Sequence, residues 1–436
     1  MDKKLHLLVF LFLFSAINVF SQQEKGIYGD ENWLRLWTEF NSEDMVYNVP
    51  TQILSGNITK DTKLDKKETY LLLGNVFVTD STTLTIDPGT VILGDYRTKG
   101  SLTISDGSRI IAKGTQTDPI IFSSNSTVKK KGDWGGIFIL GNAPVNKIGD
   151  RSQVEFGLKP STPENISYGG PDEASDSGIF KYVRIEYAGN RTKQYGYFNA
   201  LTLAGVGSCT VIENIMVSNC QGNAFYISGG NTKISKLVSY KSRKKDIIIN
   251  HGAQTQLSNS LVVKSPYFTA SSGASSIYLA SYDKKFEVDP TKKNTHLDAE
   301  NLTLLILSDD ITRDIEVGLV NEALYVKEGA SFSIKKSIFS GYNPAVLLDS
   351  KIVVNNETLS QMEFSNMYFN NCKGNIFVEG KSNNEDLENW YGNSIFQNVY
   401  SRGSDKETFI EVNDINNSDF RLRINKIVAS NLPDED

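Results

Sequence analysis

The sequence predicts an all-β chain, a right-handed parallel β-helix, on three observations. A short alternating strand, a glycine turn and a second apolar strand run from Leu84 to Gly94, and the same pattern returns 18 residues on, from Leu102 to Ala112. Further on, Ile215 to Leu237 and Phe225 to Ile247 are each separated by 22 residues, a period that suits one coil of three short strands and three turns. Asn heads one strand after another, at Asn214, Asn301, Asn366 and Asn398. Asn tolerates left-handed backbone and bonds its own main chain, so it marks a repeated corner. An antiparallel sandwich fits less well, because two-residue Asn-Gly or Asp-Gly hairpins are few and the Pro88-Gly89 counterpart of Asp106-Gly107 wants a turn between coil faces.

Lys3 and Lys4 precede an apolar run from Leu7 to Phe14, and Val19-Phe20-Ser21 suits cleavage before Gln22. Residues 1–21 therefore read as a signal peptide for the Sec pathway, which places the mature chain in the periplasm, at the outer membrane or outside the cell. No later stretch approaches the roughly 20 apolar residues of a membrane-spanning helix. Residues 22–50 read as an N-terminal cap, since Trp33, Leu36, Trp37 and Phe40 fall at i, i+3, i+4 and i+7, the spacing of a short amphipathic helix. Such a cap answers the open strand edge at the end of any solenoid. Residues 51–430 read as a single β-helix domain of on the order of a dozen coils, roughly 50–60 Å long, with long loops near 126–176 and 281–298.

Composition narrows function by exclusion. Lys and Arg number 45 against 51 Asp and Glu, a net charge of −6, which disfavours nucleic acid as a partner. Cys209, Cys220 and Cys372 are odd in number, have no CxxC spacing, and read as small core hydrophobes rather than a disulfide framework. His251 and His296 have no ligand-like neighbours and read as solvated or turn residues, so neither a zinc site nor a His-based triad is expected. Taking equivalent strand positions, Glu186 is followed by Ser218 and then, 22 residues on, by Tyr240, and Tyr187 by Asn219 and Lys241, so no outward column stacks carboxylates for a glycosidase or a calcium-dependent lyase. Asp309, Asp310 and Asp314 read as turn formers, as do Asp172, Glu173 and Asp176. No metal and no cofactor is expected.

Few residues remain as candidates for binding. Trp134, in Asp133-Trp134-Gly135-Gly136, either stacks on a sugar or anchors a loop onto the solenoid; tight backbone approach explains both glycines and favours the anchor. Tyr187, Tyr240, Lys241 and Arg243, followed by Lys244 and Lys245, form an aromatic and basic stretch that reads either as a solvated face or as a small anion-binding or docking patch.

Leu84 to Gly94, Gly132 to Pro144, Tyr182 to Gly189, Leu201 to Gly207 and Ser337 to Tyr342 together resemble a widespread family of secreted β-helix-like proteins of Bacteroidota, sometimes labelled type IX secretion targets or multidrug transporters. The resemblance covers roughly residues 50–350 and implies fold and export; it carries no chemistry. Two departures stand out. Relatives place acidic clusters after the positions of Val217 and Leu237, where this chain has Asn219 to Asn223 and Arg243 to Asp246, and Arg421 to Val428 does not read as the β-sandwich sorting domain of type IX cargo. The expected function is a secreted, non-enzymatic binding or scaffold protein offering a rigid side to a glycan or an outer-membrane partner. The alternatives are a carbohydrate-active enzyme, lyase or hydrolase, and an accessory subunit of an outer-membrane transporter. Two carboxylates converging in a groove with basic residues favour the enzyme, and an aromatic-lined groove without such pairs favours binding.

Overall fold

The computed structural model describes residues 25–269, 273–372, 376–380, 385–423 and 425–426; the signal-peptide reading falls outside them. Among these residues twenty-six strands form one continuous parallel ladder that bends at its corners into three faces. The chain winds through faces I, II and III in turn, for example along Thr83–Ile86, Val91–Gly94 and Ser101–Ile104 before returning to face I at Arg109–Lys113. Face II carries twelve rungs among the described residues, from Gln52–Ile58 to Val399–Ser401, each paired in parallel with the next. At about 4.8 Å per rung the solenoid is roughly 50 Å long.

The alternation seen in the sequence places every second side chain inside. On face II one inward column runs Ile92, Phe122, Ile185, Val217, Ser239, Val262, Leu304, Phe339 and Phe369, and all but Ser239 belong to one apolar core that continues through the coils. The corner between faces I and II is a single left-handed residue in coil after coil: Tyr182, Asn214, Lys236, Asn259, Asn301, Lys336 and Asn366 have φ between 46° and 59°. Asn suits this corner; Tyr and Lys tolerate it at about 1–2 kcal/mol each. Ile215 faces Leu237 and Phe225 faces Ile247, as the 22-residue period requires.

Five expectations are corrected. The 18-residue spacing is not a coil: Leu84 pairs with Ile110, and Leu102 with Val76, because strand, turn and strand recur on every face and the two segments sit on different ones. Residues 25–50 do not cap the end. They run as a strap along the outside of face II, with Ile27, Leu34, Trp37 and Phe40 packed on Met216, Val238, Tyr240 and Leu261. Residues 33–37 form turns instead of a helix, since Leu36 is left-handed and 69 % exposed while Trp37 is buried against Trp33 and Tyr182. The solenoid ends near Ser401, and the antiparallel pair Phe409–Glu411 and Asp419–Leu422 folds back onto the same outer face as the strap. Cys209 is exposed instead of buried in the core, whereas Cys220 is buried; all three cysteines are free.

Candidate functional site

The long loops supply the site by meeting one another. The segment 141–177 follows Ile137–Leu140 of face III, and 280–295 follows Ile277–Leu279 of the same face. Both leave at the corner between faces III and I, on different coils, and join through a bridge between Lys147 and Val288, with Ile148 N donating to Glu287 O at 3.0 Å. Asn146 fixes the junction, its Nδ2 donating to Ser281 O and its N–H to His251 O. A third wall is the hairpin Arg191–Thr192 with Gly196–Tyr197. Together they enclose a groove of about 550 Å³ over the outer side of face III.

Its floor is the outward column Thr202 and Tyr226, residues that pair across adjacent coils. Its walls present Phe156, Tyr168 and Tyr195 together with Glu155, Asp283, Glu287, Lys147 and Lys284. Glu287 lies 3.3 Å from Lys284 and 3.8 Å from Lys147, so its charge is offset within the wall. Further along the outward column Tyr278 and Tyr325 stack on each other, with ring centroids 5.5 Å apart and planes at 6°, which occupies the faces that a sugar needs.

A chain of polar contacts crosses the floor. Tyr168 Oη lies 2.8 Å from Ser228 Oγ, which lies 2.9 Å from His251 Nδ1, and His251 Nε2 is 3.3 Å from Asp283 Oδ2. His251 holds the Asp283 carboxyl below its ordinary range, and burial pushes the Tyr168 and Tyr226 phenols up. The residue types are those of a hydrolytic triad, yet the order of exposure is reversed. In a working triad the serine faces substrate and the acid is buried; here Ser228 is fully buried beneath Tyr168, and Asp283 is the exposed member. His251 is thus a buried turn residue, φ 53°, and not a solvated one. Among the described residues no three His, Cys, Asp or Glu side chains converge as a metal site.

The residues singled out from sequence lie elsewhere. Trp134 is wholly buried, Nε1 donating to Glu186 O at 2.7 Å, and its ring stacks on Phe122 in the core. A Cβ on Gly136 would stand 2.1 Å from Asn199 O and one on Gly94 2.5 Å from Trp134, the tight approach that the glycines imply. Tyr187 and Tyr240 are covered by the strap, through Ser42 and Phe40. Glu186 points outward from the coil but is buried too, because Tyr47 of the strap donates to its carboxylate while Arg184 sits 3.2 Å away. Lys241 and Arg243 remain at the surface, at the corner between faces II and III, away from the groove. The groove residues carried no motif; the two loop interruptions were the legible trace of it, and their meeting was not.

A three-faced parallel β-helix with a loop-walled groove on one face is the class of protein that this geometry defines. A model of the pectate-lyase-like beta helix domain matches residues 56–412, and the chain belongs to that family. No curated protein and no solved structure matches it.

Proposed function

We propose that the chain is an exported, non-enzymatic glycan-binding β-helix, and that the groove over face III takes an uncharged oligosaccharide. The observation that carries this reading is the groove lining: aromatic Phe156, Tyr195 and Tyr226 beside three carboxylates, of which Glu287 is paired with Lys147 and Lys284 and Asp283 lies against His251. Rings supply flat apolar surface for the C–H faces of sugars, and carboxylates accept bonds from their hydroxyls. Three acidic against two basic side chains line the groove, so a polyuronate gains little attraction there. Rigid coils keep the walls in place, which lowers the ordering cost of binding.

The test is an array of neutral and acidic glycans probed with purified protein, followed by calorimetry on any hit. Tyr195→Ala, at an exposed ring, is expected to weaken binding about tenfold with unchanged folding; silence on the array, or indifference to Tyr195→Ala, counts against the reading. One observation favours the enzyme alternative: Asp283, Glu155 and Glu287 converge with His251 and Lys147 in the same groove. Release of reducing ends, or of unsaturated products absorbing in the ultraviolet, from any glycan bound would establish it, and loss of that release in Asp283→Asn would locate it.

A further inference from the structure

We infer that the corner between faces II and III carries a second binding surface, a cationic ridge that fits a sulfated polysaccharide and shares only the hairpin of Arg191 to Tyr197 with the groove. Lys131, Arg191, Lys241, Arg243 and Lys244 come together there from three separate loops. Lys131 Nζ donates to Lys241 O at 2.6 Å, and both ammoniums stand over the Phe268 ring, at 5.0 and 5.9 Å. Lys244 Nζ stands 4.5 Å over the Tyr197 ring, which Arg191 also approaches. Among the described residues no carboxylate lies within ion-pair distance of any of the five, in a chain of net charge −6. Their neighbours are matched: Lys245 pairs with Glu322, and Lys264 with Asp246. Asp133, the nearest acid in the Lys131 loop, is turned inward to accept from Ser124 and from Lys130 N. The crowding costs energy without a counter-charge: burial first, then the like charges of Lys264, Lys241 and Arg243, lower the Lys131 ammonium to about 8.

Cations held over ring faces leave their outer side open to an anion. Four of the wall's features select the anion. Three ammoniums and two guanidiniums supply point charges and planar forks, and the several divergent oxygens of a tetrahedral ester can meet both kinds at once. Three of the charges share the loop 241–246, and Lys131 and Arg191 come from two other coils of the stack, with the uncharged corner Asn219 to Asn223 between, so the row crosses several rungs of about 4.8 Å, a path that a linear polymer with repeated charges can follow. Phe268, 52 % exposed, offers a flat apolar face among them. The ridge is short, because Tyr267 Oη accepts from Asp309 N where the acidic loop 309–316 begins. A broad anionic membrane would meet that acidic stretch, and a chain crossing the ridge would not.

The test is calorimetry of the full mature chain with dextran sulfate and unmodified dextran, with polygalacturonate and phosphatidylglycerol vesicles as competitors. Dextran sulfate is expected to bind, more weakly as salt rises, and unmodified dextran is not. The triple variant Arg191→Gln, Arg243→Gln, Lys244→Gln should lose about tenfold in affinity with an unchanged melting curve, while Glu287→Gln in the groove leaves this binding intact. If the triple variant melts early, Arg243→Gln alone, at an exposed side chain, should lose about twofold. No binding of dextran sulfate, equal binding by the substituted chains, or preference for polygalacturonate or vesicles overturns the inference.

Discussion

The inward column of face II is apolar except at Ser239, and that one position sets up the clearest test of how the core is held. Ser239 Oγ donates to Asp246 Oδ1 at 2.6 Å, and Lys264 Nζ donates to Asp246 Oδ2 at 3.1 Å, to Ser242 O at 3.0 Å and to Lys244 O. Lys264 and Asp246 are both essentially without solvent contact. The ammonium thus neutralises a buried carboxylate and satisfies two carbonyls of the corner that carries Lys241 to Asp246. Lys264→Met keeps the volume, strands the Asp246 charge and frees both carbonyls, a loss of about 3–5 kcal/mol. Lys264→Met with Asp246→Asn removes the stranded charge, so the double variant should be more stable than Lys264→Met alone, with a coupling of about 2 kcal/mol or more. Because a solenoid opens coil by coil, the measurement is hydrogen exchange of the amides of residues 237–250 in all four species, beside urea unfolding. Additive losses, with the double variant the least stable, would refute the idea that the pair offsets its own burial.

Burial raises the Asp405 carboxyl to about 6, only partly opposed by Ser340. A raised carboxylate favours the protonated folded state, so its contribution is full below about 3.9 and is lost as pH rises through about 6; protection of the Asp405–Thr408 turn against proteolysis should fall between about pH 4 and 6, and Asp405→Asn should abolish that fall. At the left-handed corner Asn366, φ 56°, Asn366→Gly should be nearly neutral and Asn366→Val should cost about 1–2 kcal/mol in urea unfolding. Gly136→Ala drives a Cβ into the Asn199 carbonyl and should lower stability by about 1–3 kcal/mol or more, whereas equal stability would mean that the Trp134 loop adjusts freely. Cleavage of the strap by limited proteolysis should accelerate in Glu186→Gln, which weakens the hold on Tyr47 and Arg184.

What the sequence determined by itself is local. Alternation with period two fixes which side of a strand is apolar, and a recurrent Asn at a left-handed corner needs only its own torsion angles, so the stacked windings were legible from Asn214, Ile215, Leu237 and Phe225 onward. Even the bland reading of Trp134 followed from its two glycines. Tertiary structure decided everything that depends on distant segments sharing a surface. An outward column looks alike whether it is bare or covered, and only the strap, with Tyr47 139 residues from Glu186, makes Glu186, Tyr187 and Tyr240 interior. Coil length varies with each loop, so no fixed period foretells that residues 147 and 288 meet, and with them the groove that gathers Tyr195, Tyr226, His251 and Asp283. Patterning along the chain encodes which side faces inward; which loop lies over which coil is set by the accumulated winding of everything between.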